Sequence, residues 1–148
     1  MVATTSSPAS WQYPPNAPDR TAWGHLYPFE SRFYNRKGMA YHYLDQGSGP
    51  PLLMLHGNPT WSFYYRRLIQ DLSRDHRVIV PDHIGCGLSA SPPVRAYGYR
   101  LTDRVADLEA LMTALDPADP LTLVVHDWGG MIGMAWALAR PQRIARVV

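Results

Sequence analysis

Along the chain, short unbroken apolar runs alternate with stretches whose apolar residues recur every three or four positions. Leu52-Leu53-Met54-Leu55, Val78-Ile79-Val80 and Leu121-Thr122-Leu123-Val124-Val125 are the runs. They are too short for helices and lack polar alternation, so they predict strands covered on both faces. Between the first two, "TWSFYYRRLIQDL" predicts a helix with Thr60 as its cap and Phe63, Tyr64, Leu68 and Leu72 near helical spacing. "LTDRVADLEALMTAL" sets Leu101, Val105, Leu108, Met112 and Leu115 at steps of four, three, four and three, the apolar stripe of a second helix. "GGMIGMAWALA" predicts a third helix and "RIARVV" a further strand. Upstream, "FESRFY", the polar turn "NRKG" and the alternating Met39, Tyr41 and Tyr43 predict an antiparallel hairpin. Buried strands separated by helices make an α/β domain: a mostly parallel sheet with helices on both faces and an antiparallel hairpin on its N-terminal side.

Residues 1–25 depart from this pattern. Pro8, Pro14, Pro15 and Pro18 stand there among Ser, Thr and Ala without an apolar period, which predicts a mobile Pro/Ser-rich tail before a core domain over residues 26–148. At 148 residues, 46% of them apolar, the chain is long enough to bury a hydrophobic interior. The formal net charge is +2 and Lys37 is the sole lysine, so nucleic acid is not an expected partner. No run approaches the roughly 20 apolar residues of a membrane helix. The start carries no signal-peptide pattern and Cys86 has no second cysteine to pair with, so the expected setting is reducing and cytoplasmic.

Candidate chemistry gathers where predicted strands end, as ligands do in open α/β sheets. These junctions are His56-Gly57-Asn58-Pro59, Asp82-His83-Ile84-Gly85-Cys86-Gly87 and His126-Asp127-Trp128-Gly129-Gly130. The third resembles a nucleophile elbow, a strained strand-to-helix turn that lifts one side chain above the sheet, with Asp127 where serine usually sits. A carboxylate there can attack an electrophilic carbon and form an ester that water then cleaves. As a lone residue, Asp127 reads equally well as the N-cap of the helix after it. Asn58 strengthens the catalytic reading. Its backbone N–H and that of Trp128 can hold an oxyanion, while the Asn58 amide and the Trp128 indole can donate to a departing anion.

With these residues in hand, the sequence resembles the haloalkane dehalogenases of the α/β-hydrolase superfamily, through "HGNPTWS", "PDHIGCGLS" and "VHDWGGMIG" in that order, over roughly residues 26–148. Val125 departs from the small residue usual two positions before the nucleophile. The resemblance implies Asp127 as nucleophile, Asn58 and Trp128 as the halide-binding pair, a small hydrophobic haloalkane as substrate, an alcohol as product, and no cofactor or metal. The branch that looks most similar also holds β-lactone decarboxylases of olefin biosynthesis. Epoxide hydrolases share "HDWGG" but carry an aromatic at the position of Asn58. The resemblance also implies that the acid and the water-activating histidine lie beyond Val148, as does the cap domain, so the chain looks like the N-terminal half of an enzyme and is expected not to turn over a haloalkane alone. A non-enzymatic remnant that pairs with a complementary half, or self-associates through an open sheet edge, is the competing expectation.

Other residues receive plainer readings. His126, adjacent to Asp127 at a strand end, is expected beneath the elbow rather than as the base. His56 is read as part of the turn into the Asn58 loop. Asp82, His83 and Cys86 make a poor zinc set, with mixed ligands and no fourth, and Gly85-Cys86-Gly87 is read as a turn. Trp61, Tyr64, Tyr65 and Trp136 are expected in the core or a pocket wall.

Overall fold

The computed structural model describes residues 19–117 and 120–148. Six strands form one sheet: β1 (Arg32–Arg36), β2 (Met39–Gln46), β3 (Pro51–Leu55), β4 (Arg77–Pro81), β5 (Leu121–Val125) and β6 (Ile144–Val147). Three α-helices connect them, α1 (Arg66–Leu72), α2 (Leu101–Leu115) and α3 (Trp128–Ala139). The spatial order is β1-β2-β4-β3-β5-β6. β1, β2 and β4 pair antiparallel, whereas β4, β3, β5 and β6 run parallel. This is the mostly parallel sheet with an antiparallel hairpin that the patterning predicts.

The hairpin turn is tighter than "NRKG" suggests. Arg36 pairs with Met39, leaving two loop residues, Lys37 and Gly38, both at positive φ. That is the backbone a right-twisted two-residue hairpin requires, and Asn35 Oδ1 accepts the Gly38 N–H at 2.8 Å. The first strand therefore runs to Arg36 rather than stopping at Tyr34.

The continuous apolar runs are explained by two cores, one on each face. β3 sends Leu52 and Met54 to one side, where Val78, Val80, Tyr65 and Ile69 pack with them. It sends Leu53 and Leu55 to the other, against Ile79, Leu123, Leu108, Met112, Ile132 and Trp136. α1 covers the first face; α2 and α3 cover the second. All five β3 residues are buried, and each buried leucine contributes about 1.5–3 kcal/mol of apolar transfer energy. Trp136, at 1% exposure the largest fully buried side chain, donates its indole N–H to Glu109 Oε2 at 2.6 Å, and Arg140 holds the other carboxylate oxygen at 2.7 Å.

Two expectations change. The segment from Thr60 opens not as an α-helix but as a 3-10 turn, Ser62–Tyr65, before α1, and Thr60 does not cap it: its hydroxyl donates to the Gly57 carbonyl at 2.8 Å. The expected tail over residues 1–25 lies outside the described residues up to residue 18. Its last part has structure, since a 3-10 turn spans Gly24–Leu26 and the Trp23 ring stands edge-on to Trp61 at 5.3 Å. The apolar area of Trp23 extends the core domain N-terminally.

Candidate active site

β3 and β5 are parallel neighbours with Leu55 opposite Val125, so the chain leaves both strands at one level and the two connections meet above the sheet. From β5 the chain passes His126 and reverses at Asp127 into α3. The reversal puts Asp127 at φ 52° and ψ −124°, a conformation costing on the order of 1–3 kcal/mol for a residue with a side chain. Glycine makes it possible on both connections. A Cβ on Gly129 would lie 2.0 Å from the Leu55 carbonyl oxygen, and one on Gly57 would lie 2.4 Å from Asp127 Cβ.

The Asp127 side chain consequently stands exposed at the crossing point. It occupies the N-cap position of α3 without making the side-chain capping bond usual there. Its Oδ1 instead accepts the backbone N–H of Asn58, across the strand gap, at 2.9 Å. The Trp128 and Asn58 backbone N–H groups hold its carboxyl below the usual carboxylate range, so the group is an anion at neutral pH. The structure thus brings together Asp127, the Asn58 N–H and the Trp128 N–H. The Asn58 and Trp128 side chains are both exposed at the same crossing, Trp128 at 41%.

Below this rim lies a buried polar scaffold that the sequence did not reveal. The His83 N–H donates to His56 Nε2 at 3.0 Å, which leaves the His56 proton on Nδ1, where it donates to the Gly57 carbonyl at 2.9 Å. His83 returns a bond from Nε2 to the His56 carbonyl at 3.0 Å. Burial lowers the pKa of His56 and takes His83 down to about 3, so both rings are neutral. One residue earlier, Asp82 accepts the Ser62 N–H at 2.8 Å and the Leu88 N–H at 2.9 Å, and its Oδ2 lies 2.9 Å from His42 Nδ1. Burial alone would raise the Asp82 pKa, but the facing His42, then His56 and the Leu88 N–H, outweigh it and bring it to about 2. Through Ser62 and Gly57 this scaffold fixes both ends of the loop that carries Asn58. The sequence held only a faint signal of it: histidines and an aspartate at the ends of apolar strands, where an unpaired polar group is unaffordable.

Asp82, His83 and Cys86, weighed above as a metal set, face different partners: Asp82 the loop N–H groups and His42, His83 the His56 backbone, and Cys86 the Asn58 carboxamide at 3.7 Å. His126 corrects an expectation. It is exposed rather than tucked beneath the elbow: standing past the end of β5 at Val125, its ring stacks on Tyr64 at 4.7 Å and 22°, on the face where Val124 and Tyr65 pack. Tyr64 is itself 50% exposed, whereas Tyr65 is buried and donates its hydroxyl to the Leu55 carbonyl at 3.0 Å. Trp61 joins Trp23, Phe63 and Gly87 around an aromatic cleft of about 420 Å³.

With this geometry established, comparison with known proteins identifies the lineage. The chain is 54% identical over 123 residues to a cis-3-alkyl-4-alkyloxetan-2-one decarboxylase of Shewanella oneidensis, covering 83% of this chain and 39% of that protein. It is 42% identical over 123 residues to haloalkane dehalogenase 2 of Mycobacterium tuberculosis, covering 83% and 42%. An epoxide hydrolase structure from Vigna radiata superposes with a TM-score of 0.72 at 33% identity, over 80% of this chain and 39% of that one. The chain thus spans about two fifths of the length of these proteins. The alpha/beta hydrolase fold family matches residues 50–148, and on that match, with the sheet order and the strained turn at Asp127, the chain belongs to the α/β-hydrolase family.

Proposed function

We propose that Asp127 is a nucleophile toward saturated carbon, with Asn58 and Trp128 receiving the charge that leaves. The observation that carries this reading is the 2.9 Å bond from the Asn58 N–H to Asp127 Oδ1. It holds an exposed, ionised carboxylate at a fixed position and sets a backbone donor beside the oxygen that would become the carbonyl of an enzyme ester. Donation from the Asn58 amide and the Trp128 indole suits a halide or a carboxylate.

On a haloalkane, Asp127 displaces the halide and becomes an alkyl ester. Cleaving that ester needs a base to activate water, and among the described residues no histidine hydrogen-bonds the Asp127 carboxylate. The chain alone therefore stops after one equivalent of halide. A second substrate class is favoured by one comparison: identity is 54% to the oxetanone decarboxylase against 42% to the dehalogenase. On a β-lactone, Asp127 attacks the ring carbon bonded to oxygen, and that C–O bond breaks to give an enzyme ester bearing a free carboxylate. Loss of carbon dioxide then sends the C–C bonding pair into the new C=C bond and expels Asp127 as carboxylate. This sequence balances without water or an added base, so Asp127 is regenerated.

Both substrates are therefore offered to the chain and to Asp127→Asn. Intact-mass analysis is expected to show one alkyl adduct on Asp127 with one equivalent of bromide from a primary bromoalkane, and gas chromatography to show alkene from a cis-dialkyl oxetan-2-one. Retention of either product by Asp127→Asn, or sustained hydrolysis of the bromoalkane by the chain, sinks the proposal.

A further inference from the structure

A carboxamide at the rim of an anion site has two orientations of opposite use. With nitrogen outward it donates two N–H bonds; with oxygen outward it repels the ion. The Asn58 side chain is exposed, so packing alone does not choose between them. Cys86 supplies a choice. It stands half-buried in the connection after β4, and its Sγ lies 3.7 Å from Asn58 Oδ1, a normal reach for a sulfur donor.

The direction of that bond follows from its acceptor. A carboxamide oxygen has no proton to give, so the Cys86 S–H is the donor and Asn58 Oδ1 accepts it. Burial pushes the thiol pKa up, which keeps that proton in place at neutral pH.

We infer that Cys86 is a positioning residue for the anion site: its S–H holds Asn58 Oδ1, which turns the Nδ2 amide group to the far side of Cγ, away from Cys86 and free for a departing anion. The inference rests on Asn58 being the anion donor proposed above, and it adds what makes that donor point outward.

The test follows the Asn58 side-chain amide in the 15N-labelled chain, alone and with bromide, in wild type, Cys86→Ala and Cys86→Ser. Wild type and Cys86→Ser are expected to show one sharp Nδ2 proton pair, and Cys86→Ala a broadened or doubled pair from rotation of the freed amide. Where bromide binds, Cys86→Ala is expected to raise its Kd about three- to tenfold, the value of one modest hydrogen bond, and Cys86→Ser to stay within about twofold. Thermal melts within a few degrees of one another exclude a folding defect as the cause. An Asn58 amide pair unchanged in Cys86→Ala overturns the inference whatever bromide does. An amide that responds in a chain that binds no bromide leaves Cys86 as the orienting group and removes the halide reading of Asn58 instead.

Discussion

Replacing Gly129 by alanine tests whether the strained turn depends on a helix lying almost against the end of β3. A Cβ at that position would stand 2.0 Å from the Leu55 carbonyl oxygen, 2.5 Å from its carbon and 2.8 Å from the His56 carbonyl oxygen. Ordinary contact begins at 3.4 Å, so the first turn of α3 must lift by about 1.4 Å (3.4 less 2.0), and the obstacle is backbone of a central strand that has no rotamer to change. Overpacking of a rigid site costs about 3 kcal/mol. For a chain of this length that lowers Tm by about 10 °C. Two neighbours on the same helix calibrate the effect. At Gly133 the Cβ would lie 2.8 Å from Val125 Cγ1 and 3.1 Å from Leu55 Cδ1, side-chain atoms that yield in part, so Gly133→Ala is expected to cost about 1–2 kcal/mol. At Gly130 the nearest atom is Val125 Cγ2 at 4.0 Å, and alanine there is expected to stabilise by about 0.5 kcal/mol through its better helix propensity. Urea and thermal unfolding followed by circular dichroism give the three values. If Gly129→Ala lies within about 0.5 kcal/mol of wild type, or the order of the three reverses, the close approach of α3 to β3 is wrong and the account of the turn at Asp127 goes with it.

Two further outcomes are expected. Acid should weaken the fold in two stages. An unfolded histidine takes up a proton below pH 6.5 whereas His83 resists until about pH 3, so the unfolded state binds more protons in that window and stability falls with pH across it. Asp82, with its pKa near 2, holds its contribution above the ordinary carboxylate range and loses it, on the order of 2 kcal/mol, as pH drops from about 4 to 2. The urea midpoint measured between pH 7 and 3 should have a shallower slope in His83→Gln, which keeps an N–H for the His56 carbonyl; an unchanged slope refutes the assignment. Trp136→Phe should cost about 1–2 kcal/mol by equilibrium unfolding, because it leaves Glu109 Oε2 without its indole donor while keeping the ring in the core; a neutral result would show that water replaces the indole there.

How much was legible in the sequence depended on the range of the cause. β3 and β5 were readable because burial on both faces writes itself into consecutive residues, and α2 because one stripe of it meets the sheet. The opening of α1 was not. Its first turn follows the Ser62 N–H to Asp82, twenty residues away, and Thr60 turns back to Gly57, partners that no local period announces. His126 misled for a related reason: alternation gives its face but not its depth, and past the end of β5 it meets only the exposed Tyr64 ring. Asp127 and Asn58 stand out by their motifs, but their direct bond across 69 residues is a fact of sheet order. The scaffold of His42, His56, Asp82 and His83 went unseen because its members lie on and after three strands, β2, β3 and β4, that only the sheet order makes neighbours.

The register of β3 against β5 has a consequence for how the site tolerates change. Asn58 stands three residues past Leu55 and Asp127 two past Val125, and those strand ends are hydrogen-bonded partners. The gap between the Asp127 carboxylate and the Asn58 N–H is thereby set like the rungs of a ladder, by peptide geometry that every sequence shares. Side chains elsewhere can drift without retuning the one distance on which the proposed chemistry rests.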